Sequence, residues 1–283
     1  MMVLGSVVIA YSITLFMASV SQPTSQAPIR VTQWSGYMAA SDIQNRSPLV
    51  TGVSAYWTVP EVAPSENDTF SSAWVGIGGY GETTLVQTGT QHHCVNGKVG
   101  YYAWYELLPD DVVPIMSIHI RPGDAITASI SFLNENTSTW LIEISDVSRG
   151  EHFEKTVFYN SSQLSADWIV ERPNVNDTVS TLADFGSVAF SECTATIEGI
   201  TGGVGNFSHA QLVMVDAQNV QLVNVSQLSD EGSSFTVSYL ESANVGSQSS
   251  DLNVHIDWGL PEEFPAAGFS WQARRMLSGT TDW

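Results

Sequence analysis

Four acid or amide side chains of this chain sit where such groups are costly. Gln87 lies in Leu85-Val-Gln-Thr-Gly89, Glu106 closes Tyr102-Ala-Trp-Tyr-Glu106, and Asp167 and Glu171 bracket Trp168-Ile-Val170. The surroundings are apolar and aromatic, and alternation along a strand sorts side chains by face. Trp104 and Glu106 share one face, Gln87 sides with Leu85, and Asp167 and Glu171 lie together opposite Trp168. A carboxyl inside an apolar strand is unfavourable unless it is paired or used. Desolvation raises its pKa, which suits it to accept and return a proton. The plain alternative is an outer sheet face where each carboxylate meets water, and for any one of these residues alone that is the commoner situation.

Other chemistries find no support. Gly76-Ile-Gly-Gly-Tyr-Gly81 satisfies GxGxxG, but a strand pattern, Thr83-Thr-Leu-Val-Gln87, follows it. A dinucleotide loop needs a helix N-terminus there to present N–H groups to pyrophosphate. The chain has no GxSxG, no HExxH and no Asp-Thr-Gly or Asp-Ser-Gly loop. His92-His93-Cys94 is the nearest approach to a metal motif, and no second cluster stands at ligand spacing. No metal and no cofactor are expected.

The elements that must hold these residues are strands. Period-two alternation recurs at 73–77, 101–107, 115–120, 125–132, 140–144, 152–158, 168–171, 188–190, 211–215, 220–225 and 234–239. Turn chemistry separates them, as at Asn96-Gly97 and Pro122-Gly-Asp124. About a dozen strands without a long helix predict an all-β domain, a two-sheet antiparallel β-sandwich of jelly-roll or concanavalin-like form, over 28–240. Residues 241–283 read as an extension of another character.

Composition narrows the partners. Among 283 residues, 29 are Asp or Glu and 9 are Lys or Arg, a net charge of −20. Such a chain offers no basic patch for a phosphate backbone, so nucleic acid is excluded as a partner. In acid the carboxylates protonate, self-repulsion fades and few ion pairs are lost, which fits an acidic medium. An uncharged apolar run over 3–20 followed by small polar residues reads as a secretory signal peptide within 1–27, or as an N-terminal anchor. No other stretch could span a membrane. Seven N-x-[ST] sequons begin at Asn45, Asn67, Asn136, Asn160, Asn176, Asn206 and Asn224, against about two or three by chance, and suggest a glycoprotein. The two cysteines, Cys94 and Cys193, are most simply read as one disulfide in an exported protein.

Several segments in order carry a resemblance. Trp34-Ser-Gly-Tyr37, Tyr56-Trp-Thr-Val-Pro60, Ser72-Ala-Trp-Val-Gly-Ile-Gly78, Leu85-Val-Gln-Thr-Gly89, Tyr102-Ala-Trp-Tyr-Glu106, Pro122-Gly-Asp124 and Ala166-Asp-Trp-Ile-Val-Glu171 resemble the glutamic peptidases, the eqolisin family of acid-acting endopeptidases. The resemblance implies two long curved antiparallel sheets and a catalytic dyad falling on Gln87 and Glu171. It places Trp74, Trp104 and Glu106 along the substrate cleft. The chain departs from the family's pattern at Gly78, where Asp follows the Ile, and at Leu108, where some members carry Tyr.

The resemblance therefore implies a secreted, monomeric acid endopeptidase acting on protein or peptide substrates, with no membrane association beyond an N-terminal anchor. Two other readings of the same residues stand beside it. A jelly-roll glycoside hydrolase would use Glu106 and Glu171 as its paired carboxyls and the Trp residues as sugar platforms. A lectin-like sandwich would bind without catalysis.

Overall fold

The computed structural model describes residues 27–241 apart from 177 and 230. The leader expected over 1–27 and the extension expected over 241–283 fall outside them, save for Ala27 and Glu241. In chain order the strands are β1 Ile29–Val31, β2 Trp34–Ala40, β3 Val50–Thr58, β4 Thr69–Gly78, β5 Leu85–Val95, β6 Lys98–Leu107, β7 Val113–Ile115, β8 Ala125–Asn134 and β9 Thr139–Asp146. They continue with β10 Glu151–Phe158, β11 Ala166–Glu171, β12 Asn174–Val175, β13 Thr178–Val179, β14 Ser187–Ile197, β15 Ile200–Gly203, β16 Ser208–Met214, β17 Val223–Val225 and β18 Phe235–Tyr239. The only helical elements among the described residues are two short 3-10 turns.

The strands form a sandwich, as the alternation predicts. The first sheet runs β1-β16-β2-β11-β4-β5-β6-β7 and the second β10-β9-β8-β3-β14-β18-β17, with β15 added to β14. Pairing is antiparallel except between β1 and β16. The β5–β6 hairpin turns on Asn96 and Gly97, both at positive φ, the mirror-image turn that matches strand twist. Between the sheets lies one large apolar core that includes Trp57, Trp140, Trp168, Phe185 and Phe190. Two buried indoles also tie the sheets through hydrogen bonds. Trp168 Nε1 donates to the Ser54 carbonyl at 2.8 Å, and Trp57 Nε1 donates to Thr90 Oγ1 at 3.0 Å.

The sheets differ in what covers them. In β8 and β9 buried and half-buried residues alternate, so one face is packed and the other is wet. In β2, β4 and β11 every residue is buried. The first sheet therefore has a second dry face, with its own apolar cluster of Trp34, Met38, Trp74, Trp104, Leu108 and Ile169.

Three expectations need correction. Residues 115–120 alternate but do not form a strand: Ile115 ends β7, Met116 and Ser117 turn, and Ile118 and Ile120 are buried from a loop. Of 220–225 only Val223–Val225 is a strand, because Asp216 Oδ1 accepts the N–H groups of Gln218 and Val220 and curls the chain before it. The Cys94–Cys193 bond is not formed. Both cysteines are free and buried, Cys94 on β5 of the first sheet and Cys193 on β14 of the second. The Cys94 thiol is satisfied locally, accepting the Ser65 N–H at 3.3 Å and facing the Ser65 carbonyl at 3.4 Å. Burial pushes the Cys193 thiol far above its ordinary pKa, so it packs as a small unreactive apolar group.

Candidate active site

The second dry face of the first sheet collects the residues singled out from sequence. Register fixes their arrangement. Gln87 on β5 stands opposite Glu106 on β6 and opposite Gly76 on β4, and Gly76 in turn stands opposite Asp167 on β11. Two residues along, Trp74, Gly89, Trp104 and Ile169 form the next row. Glu171 lies in the row beyond, flanked by Trp34 on β2 and Ser72 on β4. Alternation carries all three rows to the same face.

Gly89 makes the middle row possible. A Cβ there would lie 2.3 Å from the Ala73 carbonyl and 2.5 Å from Trp74 Cβ, so any larger residue would displace the Trp74 side chain. Trp74 in turn packs edge-to-face against Trp34, with ring centroids 4.9 Å apart. Its indole Nε1 donates to Glu171 Oε2 at 2.8 Å. The Trp34 side chain also hydrogen-bonds this carboxyl, so two rigid indoles fix its orientation.

On β5, Gln87 Nε2 donates to Glu106 Oε2 across the ladder. A Gln amide has two N–H donors, so this bond orients the amide and leaves the second N–H available. The Gln87 Oε1, Glu106 Oε1 and Asp167 Oδ1 atoms are buried without a protein hydrogen-bond partner. Gln87 and Glu171 share the face but do not bond to each other directly.

The electrostatics are those of buried acids. Burial pushes the Glu171 carboxyl up to about 7, against the lowering effect of the Trp74 and Trp34 indoles. Glu106 is raised well above the carboxylate range, first by burial and then by the nearby Glu171 charge, while the Gln87 donor opposes this. Burial also raises Asp167 well above the usual range, although Ser165 Oγ donates to its Oδ2 at 3.0 Å. None of the three makes an ion pair among the described residues. This is a site in which a carboxyl exchanges protons instead of standing permanently charged.

The structure thus brings together every site residue read from sequence except the cysteine pair: Gln87, Glu171, Trp74, Trp104 and Glu106. It adds Trp34, whose place beside Glu171 depends on the β2–β11 register and is invisible in the local sequence. The Gly78 departure has a backbone cause. Gly78 has φ +91°, and a Cβ there would sit 2.7 Å from the Thr84 carbonyl and 2.9 Å from Ser162 Oγ. Leu108 is buried in the site's apolar cluster, and its carbonyl accepts the Tyr159 hydroxyl at 2.6 Å. Tyr159 also accepts the Leu85 N–H at 2.7 Å, so it clamps the strand ends two residues from both Gln87 and Glu106. The glycine-rich 76–81 segment leads into β5 and not into a helix, as expected.

Comparison with known proteins agrees with this geometry. The profile of the Peptidase A4 family matches residues 32–239. Aspergillopepsin-2 of Aspergillus niger is 32% identical over 175 residues, which are 60% of this chain and 59% of that protein's length. The match thus spans less than two thirds of that relative. Among solved structures, aspergilloglutamic peptidase from Aspergillus niger is 30% identical, with a TM-score of 0.54 over 61% of this chain and 99% of its own. Scytalido-glutamic peptidase with a transition state analog inhibitor shares the fold at 23% identity, with a TM-score of 0.62 over 74% of this chain and 98% of its own. With the family profile running through both sheets and across all three rows of the buried face, the chain belongs to the peptidase A4, or eqolisin, family.

Proposed function

We propose that this chain is an acid-acting endopeptidase that hydrolyses peptide bonds with Glu171 and Gln87, and that it works outside the cell. One observation carries the reading: a single buried face presents a carboxyl fixed by the Trp74 indole and an amide fixed by Glu106. Amide hydrolysis needs a nucleophilic water, a stabilised oxyanion and a proton for the leaving nitrogen. Ionised Glu171 takes a proton from water as its oxygen bonds to the scissile carbon. The second N–H of Gln87 donates to the oxyanion, a contribution of about 3–4 kcal/mol by analogy with other oxyanion donors. Protonated Glu171 then delivers its proton to the nitrogen as the C–N bond breaks.

Burial alone favours the acid form of Glu171, and a water donating to the carboxylate stabilises the anion and lowers the pKa. Gln87 is neutral at every pH, so it donates equally well in strong acid. Trp34, Trp74 and Trp104 wall the face and exclude bulk water. The engagement of Glu106 by Gln87 favours this reading over the carbohydrate one, in which the amide has no part.

An exported protein also fits the surface, since all seven sequon asparagines are exposed. The test is digestion of a denatured protein substrate between about pH 2 and 7 by the wild type and by Glu171→Gln. Cleavage in acid that Glu171→Gln loses while remaining folded supports the proposal. Wild-type cleavage by the folded variant would sink it.

A further inference from the structure

The outer face of the second sheet, on the far side of the sandwich from the cleft, holds a different cluster. On β9 and β10, Glu143 stands directly opposite Glu154, and Ser145 directly opposite His152. Like charges opposed across a ladder are unfavourable unless a cation lies between them. Glu143, His152 and Glu154 each offer a ligand atom, and these atoms all lie within 4.8 Å of one another. His152 Nε2 is 3.7 Å from Glu154 Oε2.

Two hydroxyls prepare the cluster from behind. Ser145 Oγ bonds His152 Nδ1 at 2.8 Å, which orients the ring and leaves Nε2 toward the carboxylates. Ser129 Oγ donates to Glu143 Oε2 at 3.0 Å and leaves Oε1 for a further partner. Such outer hydrogen bonds are what aim and tune metal ligands. Glu143 and His152 also border a recess of about 230 Å³, otherwise lined by small residues such as Ser54, Ser129 and Ser145. Glu192 lines it too, from a β14 bulge where its backbone holds φ +52°, a strained conformation that a Glu adopts only under constraint.

We propose that Glu143, His152 and Glu154 bind a divalent first-row transition ion, with Zn²⁺ as the representative, between the edge strand β10 and its neighbour β9. One imidazole and two carboxylates suit Zn²⁺ and its neighbours in the series, whereas Mg²⁺ and Ca²⁺ prefer all-oxygen sites. Metal–ligand distances of about 2.0–2.2 Å require the ligand atoms to draw slightly closer. The two ligands on β10 are free to do so, with side chains 48% and 67% exposed for His152 and Glu154. The bound ion would relieve the opposed carboxylates and clamp the edge strand. It has no part in peptide cleavage.

The test uses the full chain stripped of metal and titrated with ZnCl₂ at about pH 7, where imidazole is a competent ligand. Uptake is followed by equilibrium dialysis and by thermal unfolding. The expected result is one equivalent of tightly bound Zn²⁺. At about a hundredfold excess over Kd the melting temperature should rise by roughly 5–10 °C. His152→Asn and Glu154→Gln should each weaken binding by about tenfold or more, and Ser145→Ala by about tenfold. A tenfold excess of Mg²⁺ should not compete. His119→Asn should leave binding intact, although His119 forms its own contact with Glu151 at 3.2 Å. Absence of stoichiometric uptake by the wild type overturns the proposal, as does wild-type affinity in Glu154→Gln. Because Glu154 is exposed on an edge strand, that variant remains informative if His152→Asn fails to fold.

Discussion

The cleft face of the first sheet and the outer face of the second are built from the same alternating strands and carry the same acidic side chains, yet their chemistry diverges. On the first, Glu106, Asp167 and Glu171 are buried and their carboxyls are raised. On the second, Glu143 is half-buried, and Glu154 and Glu192 are exposed. What separates the two faces is the layer above each sheet. Indoles roof the first and water wets the second. A carboxyl becomes a proton carrier when its surroundings make its charge costly, and an ordinary surface anion when they do not.

The largest effect expected from this contrast is on cleavage. Glu171→Gln keeps the shape and an acceptor for the Trp74 indole while removing the base. Cleavage of a peptide substrate in acid should fall by roughly 10²–10⁴-fold. Gln87→Ala should lower it by about 10²–10³-fold through loss of the oxyanion donor. Circular dichroism should report a folded protein in both cases. A folded Glu171→Gln variant with wild-type turnover would erase the functional difference between the faces.

Next in size is the response of stability to pH. Glu171, Glu106 and Asp167 hold their protons more tightly in the folded chain than in the unfolded one. Their contribution is fully present below about pH 4 and is lost as pH climbs through the folded values. For Glu171 that value is about 7, which corresponds to ~3 kcal/mol lost between acid and neutrality. The melting temperature should therefore fall from about pH 4 to about pH 8, the reverse of ordinary acid denaturation. Cleavage measured over the same range should peak between about pH 2 and 5, where water donating to Glu171 in the substrate complex supports its ionised form. It should weaken toward neutrality as rising pH works against the protonated forms of Glu106 and Asp167 that burial favours. Maximal stability and rate near neutrality would mean that the buried acids are not what distinguishes the cleft face.

A smaller effect isolates one acid. Glu106→Gln preserves an acceptor for the Gln87 amide and removes a group whose ionisation is opposed by burial and by Glu171. In acid the variant should melt at nearly the wild-type temperature. As pH rises it should become the more stable of the two, because it has no proton to lose at this position. Parallel melting curves across the pH range would remove Glu106 from the set of strained carboxyls.

How much of this was legible in the sequence follows from the same contrast. The second sheet is readable because a half-wet strand alternates, and 125–132 and 140–144 duly fall within β8 and β9. The cleft face is harder, because β2 and β4 are buried on both sides and show no alternation in burial. Of these two only 73–77 of β4 stands among the periodic stretches, and β2 shows through the motif Trp34-Ser-Gly-Tyr37 alone; in the second sheet β3 is likewise marked only by Tyr56-Trp-Thr-Val-Pro60. Local spacing correctly paired Trp104 with Glu106 and Asp167 with Glu171. It could not place Glu171 beside Trp34 or Asp167 across Gly76 from Gln87, since those neighbours come from register between distant strands. The cysteine count failed for a related reason: even number and export favour a disulfide, but two thiols on different sheets can each be satisfied in the core.

The smallest effect belongs on the outer face. Thr194 on β14 and Ser54 on β3 are paired in the ladder, and their hydroxyls meet at 2.7 Å, both half-buried. Thr194→Val keeps the branched shape that suits a strand and deletes one hydroxyl. The Ser54 hydroxyl left behind still reaches water, so no buried group is stranded and the net loss is that of one ordinary hydrogen bond, about 0.5–1 kcal/mol. In a domain of this size that is a drop of roughly 1–4 °C in melting temperature. Cleavage should be unchanged, because the position faces away from the cleft across the whole core. The comparison lies in the kind of loss. A hydroxyl removed from the wet face should cost a little stability and no activity, whereas a carboxyl removed from the dry face should lower cleavage by orders of magnitude or relieve a pH-dependent strain. If Thr194→Val lowered cleavage as strongly as Gln87→Ala, the two faces would be coupled through the core, and their separation into a catalytic and a solvated surface would have to be abandoned.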